Sequence, residues 1–307
     1  MNDKAAGLGL TPVNRPNAEY IPTFAIVIPT RNEQGNIERL LSSIRSQTGA
    51  TYSIAVVDQS STDRTVEIAR SYGCTVVESP KPNFYSPPAR SRNLGAGAIE
   101  GKILLHLDAD MELDSPDFLR KLQTLIDDGH RAAVIHETDV ASGFWARCKA
   151  LERRCYTGTE IEAARAATRE LFALVGGYDE EISSGEDFFI TRLYERETQV
   201  ASDRSLSLRH HIGRYSLGSL IKKKFDYGRT STKYLFKARE IGARSAPSIV
   251  RSSLRAYLRN WRLLGEQPLH YVFIFPLRAM ELIAVRAGMW VGPRADRGSA
   301  GTSEIFR

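Results

Sequence analysis

Three observations predict an α/β fold with a doubly wound, mostly parallel sheet. Short apolar runs alternate with helical stretches at a regular pitch. Three of the runs end in polar clusters, Pro29-Thr30-Arg31-Asn32-Glu33, Asp58-Gln59-Ser60-Ser61-Thr62-Asp63 and Asp108-Ala109-Asp110. The carboxyl edge of such strands is where open α/β sheets bind ligands.

Taken in order, residues 1–20 lack an apolar signal core and read as a flexible polar leader. Phe24 to Ile28 is a buried strand, followed by a helix carrying Ile37, Leu40, Leu41 and Ile44 at helical spacing. Ile54 to Val57 is the second strand, and Val66, Ile68 and Ala69 mark the second helix. Thr75 to Val77 is a short third strand. Pro80 to Pro88 carries four prolines and reads as a shaped loop. A helix then opens at Arg90-Ser91-Arg92-Asn93-Leu94-Gly95 and runs to Ile99, and the strand Ile103 to Leu107 ends in Asp108 and Asp110.

These two aspartates would share a face if the strand continued, and would fan around one point if it bent. Paired carboxylates there suit a divalent cation that also holds phosphate oxygens, although turn or helix-cap roles are common for such acids. A calcium loop starting at Asp108 would need Gly at Leu113 and Glu at Leu119, and has neither. Glu112 stands where an aspartyl-nucleophile phosphohydrolase would carry a small hydroxyl residue.

Composition frames these readings. At 307 residues, 42% of them hydrophobic, the chain can bury a full core. A net charge of +6 favours anionic partners, yet no RNA or DNA module is visible, so nucleic acid is not expected. Cys74, Cys148 and Cys155 form no C-x-x-C pair, which suits reduced thiols in the cytoplasm.

The motifs Ile26 to Glu33, Val56 to Asp63, Arg92-Asn93-x-Gly95 and Leu107 to Asp110 occur in order. They continue through Val175-Gly176-Gly177-Tyr178-Asp179-Glu180 and Glu186-Asp187. Together they resemble the family 2 glycosyltransferases over about Phe24 to His211. The resemblance implies an A-type glycosyltransferase fold: a Rossmann-like sheet flanked by helices, with a helical C-terminal extension. It further implies a catalytic domain over 21–215, with a nucleotide-sugar half (21–114) and an acceptor half (115–215).

By the same resemblance, Pro29, Thr30, Arg31 and Glu33 are nucleotide contacts, and Asp58 accepts the uracil imide N–H. Gln59 replaces the family's usual second Asp and can both donate and accept. Arg92, assisted by Arg90, is expected beside the diphosphate. Asp110 is the expected direct ligand of Mn2+ or Mg2+, Asp108 binds through water or contacts the ribose, and His210 reaches the ion or diphosphate. His211 competes for that last assignment, and a packing histidine is the plain alternative. Asp187 resembles the catalytic base and Glu186 its support, although acids there also suit a helix N-terminus. One base and no enzymic nucleophile imply inversion. The absence of Q-x-x-R-W after Asp187 implies single addition rather than processive polymerisation. His106, inside an apolar strand, is expected to be a hydrogen-bonded core residue. Sugar selectivity is expected in loops at Pro80 to Pro88 and Val140 to Ala167.

Beyond the motifs, 216–291 reads as a basic amphipathic helical region. Arg251, Arg255, Arg259 and Arg262 recur beside Leu254, Tyr257, Leu258 and Trp261, which suits an anionic membrane surface. Leu269 to Val291 has the length of a span, but Arg278, Glu281 and Arg286 interrupt it, so it is expected to lie at the interface or pack on the catalytic domain. The tail 292–307 reads as disordered. The function expected is transfer from a UDP-linked sugar to a glycan or lipid-linked acceptor, by a cytoplasmic protein peripheral to the membrane. One rival, a sugar-phosphate nucleotidyltransferase, would carry a Gly-rich loop near the N-terminus that Pro29 to Glu33 lacks. The other, a non-catalytic nucleotide-sugar-binding protein, would tolerate loss of Asp187.

Overall fold

A computed structural model of the chain describes residues 21–79, 88–157, 159, 162–242 and 246–292. The expected leader, most of the proline-rich loop and all but the first residue of the tail lie outside the described residues.

The chain first alternates strands with helices: β1 (Phe24–Thr30), α1 (Ile37–Arg45), β2 (Tyr52–Asp58), α2 (Thr65–Ser71), β3 (Thr75–Glu78), α3 (Pro88–Ala98) and β4 (Ile103–His106). There follow β5 (Met111–Leu113), α4 (Phe118–Asp127), β6 (Ala132–Ser142), α5 (Phe144–Tyr156), β7 (Ala164–Thr168), α6 (Arg169–Leu174), α7 (Glu186–Glu197) and β8 (Ala201–Arg214). Five helices close the described chain: α8 (Leu217–Thr230), α9 (Thr232–Glu240), α10 (Ala246–Arg259), α11 (Leu263–Glu266) and α12 (Pro268–Val291).

One sheet orders its strands β3-β2-β1-β4-β7-β6-β8-β5. The first four are parallel, whereas β7 pairs antiparallel with both β4 and β6, and β5 antiparallel with β8. The parallel expectation thus describes the first half of the sheet. Alternate residues of β1 serve opposite layers: Phe24, Ile26 and Ile28 pack with the α1 stripe, and Ala25 and Val27 with Ala89 and Ala96 of α3. That two-sided burial is why the parallel strands are continuously apolar. Gly95 allows the close approach of α3, because a Cβ there would lie 2.4 Å from Val27 Cγ1. Register places the site: Thr30 stands opposite Asp58, and Val27 opposite His106, so three strand ends share one edge.

The described residues up to 138, with 162–180 and 186–211, pack into one compact unit. Those of 139–159, 181–185 and 212–292 pack into a second. The segment Val140 to Ala167, expected as a loop, contains the end of β6, α5 and β7. Its apolar positions Leu151 and Cys155 belong to a helical core with Tyr257, Leu263, Tyr271 and Ile274.

In that second unit α12 packs on α8 and α5. Its buried stripe is Tyr271, Ile274, Leu277, Glu281, Ala284 and Gly288. The charges that interrupt α12 are explained here. Glu281 is 1% exposed and lies 3.0 Å from Lys149 and 3.3 Å from Arg278. Glu152 pairs with the same Lys149 and accepts from Tyr257 (2.6 Å) and Tyr156 (2.7 Å). Burial opposes the charge on Glu152, but Lys149 and Arg278 pull its carboxyl down to about 2. The inner face of this segment packs on α8 and α5 of its own unit, a placement distinct from the two expected.

Candidate active site

The site is built within the first unit, from loops at the strand ends. Two non-glycine residues there adopt positive φ, Asn32 (55°) and Ser60 (60°), a conformation disfavoured for L residues and frequent at ligand sites. The loops brace one another. Asn32 N–H donates to Ser61 Oγ (2.9 Å), Thr62 N–H to Asn32 Oδ1 (2.8 Å), and Glu33 N–H to Thr65 Oγ1 (2.8 Å). Between them Thr30 Oγ1 and Asp58 Oδ1 are buried with no hydrogen-bond partner among the described residues. Such orphaned atoms are costly unless a ligand meets them. Asp58 Oδ2 is held by the Ser61 N–H (3.0 Å), which orients the carboxylate. Gln59 donates its amide to Ser91 Oγ (2.9 Å). Burial, with Asp110, Asp63 and Asp108 nearby, pushes the Glu33 carboxyl up against an opposing hydrogen bond from Asn36. Pro29 is half-buried at this edge, while Arg31 and Arg90 are exposed.

The aspartate pair occupies a bend. Leu107 N–H still reaches Val27 O (3.0 Å), then Met111 N–H closes a turn on Asp108 O (3.0 Å) and β5 departs along β8. Register brings Met111 opposite His210, and His211 N–H donates to Asp110 O (2.8 Å). Asp110 Oδ2 therefore faces His210 Nε2 at 3.2 Å, while His210 Nδ1 lies 3.3 Å from Glu137 Oε2. His211 turns to Glu112 instead (2.7 Å). Asp108 accepts from Arg92 (3.0 Å) and Arg165 (3.2 Å). Burial works against its charge, but these two guanidinium groups hold it down to about 2. An octahedral Mn2+ or Mg2+ has neighbouring ligand atoms roughly 3 Å apart. Asp110 and His210 meet that spacing, and Glu137 stands where a carboxylate orients a ligating imidazole.

Arg92, 3% exposed, joins the two halves of the site. Its Nη1 donates to Glu186 Oε1 (2.8 Å) and Asp187 Oδ1 (2.7 Å), and its Nη2 to Asp108. Tyr178 lies against the guanidinium, 5.2 Å from ring centre to Cζ. Among the described residues this arginine meets three carboxylates and an aromatic face rather than opening to solvent at a helix start. Asn93 holds Tyr178 from both sides, donating to its carbonyl (2.8 Å) and accepting from its N–H (2.9 Å). The Glu186 carboxyl is pushed up to about 8 by burial and then by Asp187, against the pull of Arg92. His106 is a core residue as expected, but it packs between Phe172 and Tyr178 and neither ring nitrogen has a hydrogen-bond partner among the described residues. Burial, with Arg92 and Arg165 nearby, holds it neutral.

Sequence reasoning missed Arg165 and Glu137, which pair at 2.6 Å. Both left a signal. Arg165 is a lone charge among alanines, and Glu137 follows the apolar run Ala132 to Ile135 after one histidine.

The model of the family described as Glycosyl transferase family 2 matches residues 25–178, half of the chain. The chain belongs to glycosyl transferase family 2. An uncharacterized glycosyltransferase of Haemophilus influenzae is 26% identical over 186 residues, covering 56% of this family 2 chain and 62% of that protein. The O-antigen chain rhamnosyltransferase WbaN of Salmonella anatum is 23% identical over 228 residues, covering 68% and 72%. The chain spans between 28% and 62% of the length of the first curated relatives it matches. Among solved structures, mannosyltransferase PcManGT from Pyrobaculum calidifontis, in complex with GDP-Man and Mn2+, aligns with TM-score 0.60 at 18% identity, covering 94% of both chains. S. aureus TarS 1-349 with UDP-GlcNAc aligns at 0.50 and 15% identity, covering 91% and 93%. The fold is the A-type glycosyltransferase fold. Membership separates this family 2 chain from the sugar-phosphate nucleotidyltransferases. The matched span holds the strand-end loops and Asp110, while Glu186, Asp187 and His210 lie beyond it.

Proposed function

We propose that this protein transfers a sugar from a nucleotide-sugar donor, UDP-linked, to an acceptor hydroxyl or phosphate by a single displacement that inverts the anomeric carbon. The observation that carries this reading is the Arg92 guanidinium, which gathers Asp108 on the donor side and Asp187 on the acceptor side. The orphaned Asp58 Oδ1 would accept a base N–H, and Thr30 Oγ1 would meet the nucleoside beside it. Mn2+ or Mg2+, held by Asp110 and His210 with Asp108 through water, would supply positive charge to the departing diphosphate. The acceptor oxygen bonds to the anomeric carbon as the bond to the diphosphate breaks. Its proton passes to Asp187, and the bonding pair leaves with the diphosphate. Burial and the neighbouring Asp187 favour the neutral form of Glu186, which limits the negative charge beside the base.

The acceptor we assign is a lipid-linked or surface-glycan precursor, added to once. Relatives named as an O-antigen chain rhamnosyltransferase and as the succinoglycan biosynthesis protein ExoO support that class. Free cysteines at 74, 148 and 155 support a cytoplasmic location.

A panel of nucleotide sugars with Mn2+ tests the reading, scored by transfer and by the anomeric configuration of the product. Asp187→Asn should lower kcat by about 10²–10⁴ while leaving donor-induced thermal stabilisation in place. Transfer by that variant at the wild-type rate would refute the assignment of the base.

A further inference from the structure

Two features of the second unit lie outside the residues to which sugar transfer is assigned. From 212 to 292 the sequence carries fifteen Lys and Arg against four Asp and Glu, so this segment holds more positive charge than the whole chain's net +6. Its helices also show apolar faces to solvent. On α12, opposite the buried stripe, stand Val272 (55% exposed), Ile283 (68%) and Trp290 (77%), with Pro276 and Ala279 between them. Arg286 is the one charge along that line, because Arg278 and Glu281 turn inward to Lys149 and Glu152. From Val272 to Trp290 the line runs about 27 Å. On α10 and the turn after it, Leu254, Leu258 and Trp261 are 49%, 62% and 64% exposed, beside the exposed Arg255, Arg259 and Arg262. Tyr257 fills the inner face of the same helix.

An apolar line of this length on a helix, broken once by Arg286, is a docking surface rather than ordinary scatter. Among the described residues no helix is long and apolar enough to cross a membrane. A second copy would set one strongly positive segment against another. Nucleic acid would match the charge but not the Leu, Ile and Trp side chains. A bilayer rich in anionic lipid satisfies both, with Trp at the headgroup level and Arg against the phosphates.

We propose that the second unit docks on an anionic lipid surface, with α12 lying in the interface plane and α10 adding its apolar and basic faces. Docking of this kind needs no donor and no catalysis.

Cosedimentation of the full chain with phosphatidylglycerol-containing and pure phosphatidylcholine vesicles tests this. Binding should require the anionic lipid and weaken as salt rises. Ile283→Asp with Trp290→Asp should reduce partitioning about tenfold or more. Arg255→Glu and Arg259→Glu should each cost about fivefold or more at low salt. Circular dichroism verifies that each variant is folded. Asp187→Asn should bind vesicles like wild type, which separates this proposal from the catalytic one. Absence of binding at low salt, or binding unchanged by the α12 pair, overturns it. So does a solution dimer that those substitutions dissociate without any vesicle binding, because the second copy is then the occupant.

Discussion

Without the Arg92 guanidinium, Glu186 and Asp187 would lose the cation they share, and Asp108 would keep only Arg165. Arg92→Ala should therefore destabilise the fold by roughly 3 kcal/mol, the lower end for breaking a buried pair, because Asp108 and Asp187 are about one-third exposed. Urea denaturation measures it. Arg92→Lys keeps a charge but loses the fork that reaches three carboxylates, so it should retain more stability than activity. Glu186 has a pH signature. Its folded pKa, about 8, lies above the ordinary carboxyl value of 4.5, so the folded state binds the extra proton and stability falls as pH rises from 4.5 through 8. Glu186→Gln should flatten that decline in melting temperature between pH 5 and 9, and equal slopes would exclude a raised Glu186. At the neighbouring proposed ion site, Asp110→Asn or His210→Ala should abolish the Mn2+-dependent part of donor-induced thermal stabilisation. Stabilisation that survives in both variants would remove them as ligands.

Several motif residues make sense only as parts of elements. In Arg92-Asn93-Leu94-Gly95, one helical turn of α3 delivers a guanidinium to the site, clamps Tyr178 through Asn93 and packs on β1 and β2 through Gly95. Asp108 and Asp110 diverge because β4 ends and the chain bends into β5, which borrows His210 from β8 through its register. The crossing of α8 and α12 depends likewise on glycine. A Cβ at Gly288 would lie 2.1 Å from Phe225 O, and one at Gly228 2.1 Å from Val285 O. Neither clash can be relieved by turning a side chain. Gly288→Ala should cost about 1–3 kcal/mol, read as a lower urea midpoint, although alanine is the better helix former. An unchanged midpoint would mean that the helices separate freely at this crossing.

For the molecule as a whole, burial is concentrated in the parallel strands, whose apolar residues in β1 and at Ala55, Val56, Val57, Leu104 and Leu105 are fully buried. Native-state hydrogen exchange should be slowest in β1, β2 and β4 and faster in α9 to α11, where few of the described positions are buried. The alternation of strand and helix, and the polar clusters at the strand ends, were legible in the sequence because apolar periodicity and strand-end polarity are local properties. Asp108, Asp110, Asp58 and Glu33 were legible for the same reason. The antiparallel half of the sheet was not, since pairing among β4, β7, β6, β8 and β5 depends on strand order rather than on any one strand's composition. The charges in α12 were legible as an obstacle to spanning, but their partners on α5 were not. By itself the sequence determined the family and the strand-end edge with its acids, to which nucleotide binding is proposed. Only the tertiary structure decided that Arg92 binds Glu186 and Asp187, 94 and 95 residues away, and that Arg165 and Glu137 complete the set. Contacts across such separations follow from how the sheet is assembled, and residue spacing carries no record of it.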